Sequence, residues 1–230
     1  MTDRPVAIIP ARGGSKRLPR KNLLEVAGRP MLAWPIAAAH ASDLFEAIVV
    51  STEDAEIAGL ARSQGARSLA RPAALATDAA TVAEVCRHVL DVLRGEGTEP
   101  SCFCCLLPTA AFVTASDLVG SLALLDAPPP ADVVLGVSPY TVHPYKALRA
   151  HGPYLASAAP EHVLRKSQDY PDLVASNGTL IWARAALFLA RPGFYVERLK
   201  GYAMDPLRGQ DLDTAEDLER VRRLAPLFRS

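Results

Sequence analysis

The chain has 230 residues and half of them are apolar, enough to build a buried core and too much for a disordered, collagenous or coiled-coil chain. Lys plus Arg number 25 and Asp plus Glu number 25, so the net charge is zero and bulk attraction to nucleic acid or to an anionic membrane is excluded. The balance is uneven along the chain. From Arg4 to Leu24 there are six basic residues (Arg4, Arg12, Lys16, Arg17, Arg20, Lys21) and no acid, whereas from Asp205 to Glu219 there are six acids against Arg208 alone.

In chain order, Val6 to Ile9 reads as a first strand, followed by a loop from Pro10 to Asn22 and a short segment from Leu23 to Val26 that ends at Gly28-Arg29-Pro30. Met31 to Ala41 is rich in helix formers. Ala47 to Ser51 reads as a strand, and Glu53 to Gln64 as a helix stopped by Gly65. Thr81 to Leu93 places Val82, Val85, Val89, Val92 and Leu93 at helical spacing. Cys102 to Leu107 is a continuous apolar run that suits a strand buried on both faces. A helix from Thr114 to Leu125 and a buried strand from Val133 to Ser138 follow. Residues 139 to 172 have no sustained period and read as an insertion over the strand ends. Thr179 to Ala183 reads as a strand, Ala185 to Ala190 as a short helix, Phe194 to Leu199 as extended and Thr214 to Leu224 as the closing helix. The alternation predicts one α/β domain over residues 1 to 230, with a Rossmann-like, mainly parallel sheet.

Four cysteines, three of them crowded at positions 102, 104 and 105, have neither zinc-site nor disulfide-framework spacing. Reduced thiols in a cytoplasmic protein are the simpler reading. The opening residues carry no signal-peptide core, and no run is long enough for a membrane span.

The loop after the first strand, Pro10-Ala11-Arg12-Gly13-Gly14-Ser15-Lys16-Arg17 with Lys21-Asn22, is a phosphate cradle by composition and position. It matches neither GxxxxGK[ST] nor GxGxxG, which removes support from kinase and dehydrogenase readings. At the other end, Asp211 and Asp213 stand two apart, so in an extended segment both carboxylates point to one side and could hold Mg²⁺. Helix capping is the competing reading of this stretch, with Asp213 and Glu216 or Thr214 and Asp217 as the box.

Ile8-Ile9-Pro10-Ala11-Arg12-Gly13-Gly14-Ser15-Lys16, Lys21-Asn22 and Gly28-Arg29-Pro30-Met31 resemble the opening of the acylneuraminate cytidylyltransferases. Ser51-Thr52-Glu53-Asp54, Arg71-Pro72-Ala73-Ala74-Leu75 and Asp211-Leu212-Asp213-Thr214-Ala215-Glu216-Asp217 match further signatures of that family in order. The resemblance implies the nucleotide-diphospho-sugar transferase type of fold and transfer of a cytidylyl group from CTP to a nonulosonic acid, with Mg²⁺ as cofactor and a homodimer as the assembly. It implies that Ala11, Arg12, Gly13, Gly14, Ser15 and Lys21 hold the triphosphate, that Asn22 and Arg71 lie near the cytidine, and that Asp211 and Asp213 hold the metal. Lys21, Arg12 and Asp211 would be catalytic, Asp211 as an aid to deprotonating the sugar.

The acceptor is read from a second set of residues. Family members often carry Gln-Pro-Thr-Ser-Pro where this chain has Leu107-Pro108-Thr109-Ala110-Ala111. Cys104-Cys105, Thr109-Ala110 and Lys166-Ser167-Gln168-Asp169 look closer to members acting on pseudaminic acid, with Lys166 where an Arg is usual and Arg165 beside it. Asn177-Gly178 matches the sialic-acid branch, or is a plain tight turn. Thr109, Lys166, Gln168 and Asn177 are thus the candidate sugar contacts. A 3-deoxy-manno-octulosonate cytidylyltransferase and a non-catalytic nucleotide-binding module are the alternatives.

Overall fold

The computed structural model describes residues 4 to 210 and 212 to 228. Its elements run β1 (Val6–Pro10), β2 (Glu25–Val26), β3 (Arg29–Pro30), α1 (Ala33–Ser42), β4 (Ala47–Thr52), α2 (Ala55–Ser63), β5 (Arg67–Ala70), α3 (Val82–Gly95), β6 (Cys102–Leu106), α4 (Ala115–Asp126), β7 (Val133–Pro139), β8 (Leu148–His151), β9 (Tyr154–Ser157), β10 (Val174–Arg184), α5 (Ala185–Ala190), β11 (Leu199–Ala203) and α6 (Ala215–Leu224).

Seven strands form one sheet in the order β11-β7-β10-β6-β1-β4-β5. β1 pairs in parallel with β4 and β6, as do β4 with β5 and β11 with β7, while β10 runs antiparallel to both neighbours. The expected mainly parallel α/β sheet is therefore present. β1 alternates its side chains between two cores, as the two-residue period of a strand requires. Ala7 and Ile9 pack with Ile36 of α1, Ile57 of α2 and Leu118 of α4; Val6 and Ile8 pack with Val89 and Leu90 of α3 and Phe188 of α5. A sheet covered on both faces explains the unbroken apolar runs of β1 and β6.

One strand of the seven-stranded sheet lies outside the sequence reading and two others have different bounds: β10 begins at Val174, ahead of the expected Thr179. β5 was not foreseen, because Arg67-Ser68-Leu69-Ala70 lacks β-branched residues and forms an edge strand through backbone pairing with β4. The extended piece expected at Phe194 to Leu199 is shifted, and the strand begins at Leu199: Phe194 instead turns its ring onto Phe188, 5.2 Å between centroids. The helix starts follow local chemistry. Thr81, Thr114 and Thr214 each form a capping box, with Glu84, Asp117 and Asp217 respectively.

β1 lies where the chain reverses its progress across the sheet: β4 and β5 extend to one side and β6 starts the other. This is the switch point at whose carboxyl end open α/β sheets bind ligands. Leu18 of the basic loop, Phe112 after β6, and Leu212, Leu218 and Val221 of the C-terminal region share a third apolar cluster. That cluster fastens the acidic end of the chain against the basic one.

Candidate nucleotide site

A cavity of about 290 Å³ opens at the switch point, lined among others by Pro10, Arg12, Lys21, Asn22, Arg71, Asp78, Thr109 and Asp213. A larger cleft of about 730 Å³ lies between α3 and α5, where Ser101 leads into β6, and so sits at the amino end of that strand, with an apolar lining of Leu90, Ala185 and Leu189. The carboxyl-end rule selects the smaller, polar cavity.

Loop geometry explains the residue types. Ala11 donates its backbone N–H to the Ser51 carbonyl at 3.0 Å, prolonging the β1–β4 pairing. Gly13 donates to Glu53 Oε1 at 2.7 Å, and a Cβ placed there would stand 2.6 Å from Asp54 Oδ2. Gly13 is thus required by close approach to β4's end, not by its dihedral angles. The loop residue with positive φ is Arg20, at 58°, which pairs with Asp54 at 2.9 Å and with Glu56. Gly14 is exposed with nothing near its Cβ position, and Ser15 is half-buried; neither lines the cavity.

Every cation aimed across this loop meets a carboxylate. Asp78 accepts from Arg12 and Lys16 at 2.6 Å each, and these contacts, Lys16 first, hold its carboxyl below the usual range. Asp213 accepts from Arg17 at 2.7 Å and from Lys21 at 3.1 Å; Lys21 also donates to the Leu212 carbonyl at 3.2 Å. Some 192 residues separate Lys21 from Asp213 in sequence, so only the fold joins the two charge clusters. Asp78 and Glu53 were missed by the sequence reading. Asp78's one visible signal is its position as the acid in the short stretch between Leu75 and Thr81, just after the Arg71 motif.

Asn22 and Arg71 form the floor. Asn22 is 2% exposed; its Nδ2 donates to the Arg12 carbonyl at 2.9 Å, and its Oδ1 is a buried acceptor with no partner among the described residues. Arg71, 7% exposed, donates Nη2 to the Ser51 carbonyl at 2.7 Å and Nε to Ser51 Oγ at 3.3 Å. Among the described residues no carboxylate pairs with it, and burial pulls its pKa down. A buried cation beside an unused acceptor is costly unless a ligand completes it.

The other candidates fall in three places. Thr109 lines the cavity. Lys166 and Gln168 stand exposed at a 3-10 turn and do not line it. Asn177 is buried within β10, bonded to Ser138 and Thr179, and is also outside the lining. Asp213 lies just before α6; Asp217 is the capping partner of Thr214, the second of the two boxes considered. Asp211 lies outside the described residues. Among the described residues no group of three or more His, Cys, Asp or Glu could enclose a metal.

A cytidylyltransferase family model matches residues 6–222. The chain belongs to the cytidylyltransferase family. A Helicobacter pylori protein named pseudaminic acid cytidylyltransferase and UDP-2,4-diacetamido-2,4,6-trideoxy-beta-L-altropyranose hydrolase is 31% identical over 210 residues, covering 91% of this chain and 40% of the relative. An N-acylneuraminate cytidylyltransferase of Escherichia coli is 28% identical over 95% of this chain and 51% of its own length. A Campylobacter jejuni pseudaminic acid cytidylyltransferase is 36% identical over 49% of each. The chain thus spans about half or less of the length of these curated relatives. A solved CMP:2-keto-3-deoxy-manno-octonic acid synthetase complexed with CTP superposes with a TM-score of 0.69 at 20% identity, covering 97% of this chain and 99% of that one. At that identity the likeness establishes the nucleotidyltransferase type of fold.

Proposed function

We propose that the protein transfers the cytidylyl group of CTP to a nonulosonic acid, giving the CMP-sugar and pyrophosphate. One observation carries this reading: Arg12, Lys21 and Arg71 line a switch-point cavity together with Asp213 and Asn22, whose Oδ1 has no partner among the described residues. The cytosine amino group is a donor of the kind that acceptor lacks, and Arg71 supplies donors to the base carbonyl. Arg12 and Lys21, which line the cavity, take the triphosphate, whose oxygens replace Asp78 and Asp213 as partners of the loop's cations; Ser15 and the Gly13-Gly14 backbone, outside the lining, meet the phosphates that extend beyond it.

The sugar's anomeric oxygen forms a bond to the α-phosphorus as the bond from that phosphorus to the bridging oxygen of pyrophosphate breaks. Lys21 neutralises charge gathering on the α-phosphoryl oxygens, and the attacking hydroxyl's proton passes to Asp211 or to solvent. Alignment and electrostatics supply the rate, with no covalent enzyme intermediate.

The site fits a hard divalent ion of the Mg²⁺ type, which takes one or two carboxylates and completes its shell with substrate phosphates and water. Asp213 is the carboxylate for it, with Asp211 beside it in sequence. Bound there, Mg²⁺ would lessen charge repulsion on the triphosphate.

Pseudaminic acid is the acceptor we favour, on the residues Cys104-Cys105, Thr109-Ala110 and Lys166 to Asp169, and on the names of two of the relatives. Lys166 or Arg165 would meet its carboxylate. We also propose a homodimer formed through residues 139 to 171, where Val142, Leu148, Tyr154, Leu155 and Leu164 are largely exposed, Leu164 at 98%. The four cysteines are buried and form no disulfide, which supports a reducing, cytoplasmic setting.

The decisive experiment measures pyrophosphate release from CTP with Mg²⁺ and separately supplied pseudaminic, N-acetylneuraminic, legionaminic and 3-deoxy-manno-octulosonic acids. Turnover with a nonulosonic acid is expected. Turnover with the octulosonate alone would overturn the acceptor class, and silence with all four would leave a nucleotide-binding module.

A further inference from the structure

Asn177 is enclosed between two glycines far apart in sequence. A Cβ on Gly136 of β7 would stand 2.8 Å from Asn177 Oδ1 and 2.6 Å from Thr179 Oγ1. A Cβ on Gly209, four residues before Asp213, would stand 2.6 Å from both Asn177 Nδ2 and Ser138 Oγ. Neither glycine has positive φ, so backbone conformation does not demand them; the Asn177 amide between them, with the Thr179 and Ser138 hydroxyls bonded to it, does. The pairing of β10 with β7 shifts register between Ser176 and Ile181, and Gly178, at φ 65°, lies inside that irregularity.

The amide's bonds are all internal. Its Nδ2 donates to Ser138 Oγ at 3.1 Å, Thr179 Oγ1 donates to its Oδ1 at 2.6 Å, and Ser138 Oγ donates to the Met204 carbonyl at 3.3 Å. Met204 also donates its backbone N–H to the Val137 carbonyl at 2.8 Å. The chain then turns tightly, Arg208 and Gly209 both donating backbone N–H groups to the Asp205 carbonyl at 2.8 and 2.9 Å. On the far side of that turn Arg208 donates to the Phe112 carbonyl at 3.2 Å and pairs with the buried Asp117 carboxylate. The segment entering Asp213 is therefore gripped twice, by the Asn177 seat and by the Arg208 clamp.

We propose that Asn177 is a positioning residue: through Gly209 it sets where the acidic segment presents Asp213 to the phosphates, and it does not contact the sugar. The inference rests on the cytidylyl-transfer reading for its kinetic consequence only. Its test is a steric rescue. Gly209→Ala places a methyl group against the seat; a displacement near 1 Å at the reacting groups would lower kcat about 100-fold. The KM for CTP stays within about twofold, since Arg12, Asn22 and Arg71 are untouched. Asn177→Ala in the same chain removes the Nδ2 contact and releases Ser138 Oγ, which that Nδ2 holds, to turn away from the methyl group, and so restores kcat at least about tenfold over the single variant.

Melting temperatures of all variants, and Asn177→Ser as a variant that keeps a hydrogen-bonding group, separate positioning from folding. Hydrogen exchange across residues 205 to 217 reads the seat directly: faster in Gly209→Ala, and returned toward the native rate in the double variant. An unchanged kcat in a folded Gly209→Ala chain, or a double variant no better than the single, would overturn the proposal. Should the native chain turn over no acceptor, cytidylyl transfer fails as a reading, and the exchange comparison alone decides the seat: rescue upholds it, and no rescue overturns it.

Discussion

The loop from Ala11 to Asn22 follows β1 and the segment from Tyr140 to Leu173 joins β7 to β10, yet they are built on opposite principles. The loop is short, its cations are paired with Asp54, Glu56, Asp78 or Asp213, and Asn22 is sealed beneath it. The segment carries a hairpin, β8 with β9, whose residues Leu148 to Leu155 are all exposed. The loop satisfies its charges internally, so a small polyanion can exchange with carboxylates already in place. The segment leaves apolar side chains uncovered, a state suited to a macromolecular partner. A loop whose charges are satisfied internally and a segment whose apolar side chains stay uncovered are thus separable in one chain.

The strongest way to break the comparison is at its charged centre. Lys21→Ala and Asp213→Ala are each expected to lower kcat by about 10² to 10³-fold. Both groups are partly exposed, so unfolding free energy should move by no more than about 1 kcal/mol. Near-normal turnover in a folded variant would remove that residue from the chemistry.

Arg71→Ala tests the floor. It removes a charged donor from the Ser51 carbonyl, which keeps the Ala11 N–H, and is expected to cost about 1–3 kcal/mol on a denaturant curve. It should also raise KM for CTP more than it lowers kcat, because its contacts are the same in ground and transition states. A kcat loss with KM unchanged would contradict a role at the base.

In the exposed segment the outcome should invert. Leu155→Asp with Leu164→Asp is expected to turn a dimeric sedimentation profile monomeric while leaving monomer stability within about 0.5 kcal/mol. A native chain that already sediments as a monomer at micromolar concentration would end the dimer reading.

The smallest effect concerns Asp78. Its folded pKa lies below the ordinary value, so its ion pairs stabilise above the unfolded pKa of about 3.9 and are lost as pH falls through the lower folded value. A side-chain carboxyl titration by NMR should place its midpoint below the ordinary value and return it upward in Lys16→Ala. A midpoint at or above the ordinary value would show that Lys16 and Arg12 do not hold it in solution.

Much of this was legible before folding. Alternating apolar runs gave the α/β class, the spacing of apolar residues and helix formers placed the helices beginning near Thr81, Thr114 and Thr214, and the motif from Ile8 to Asn22 pointed to the loop that lies at the switch-point cavity. Where local signals were weak the reading failed: β5 has no β-branched residue and exists because β4 offers it an edge. Asp78 belongs to no motif, and its importance comes from the cations it meets; Glu53 occupies the variable position of its signature, and its importance comes from the hydrogen bond it accepts from the Gly13 N–H.

The sequence by itself determined the net neutrality, its division into a basic N-terminal and an acidic C-terminal cluster, and the strand from which the basic loop departs. Composition and spacing are local properties, and these are local facts. Only the tertiary structure decided that the clusters meet, because burial of Leu18 and Leu212 in one apolar cluster joins the two ends of the chain, where Lys21 lies 3.1 Å from Asp213. It also decided the place of Asn177, which spacing offered as a sugar contact or a turn. Two distant glycines without side chains leave room for that amide inside the sheet, and no local rule relates Gly136 to Gly209.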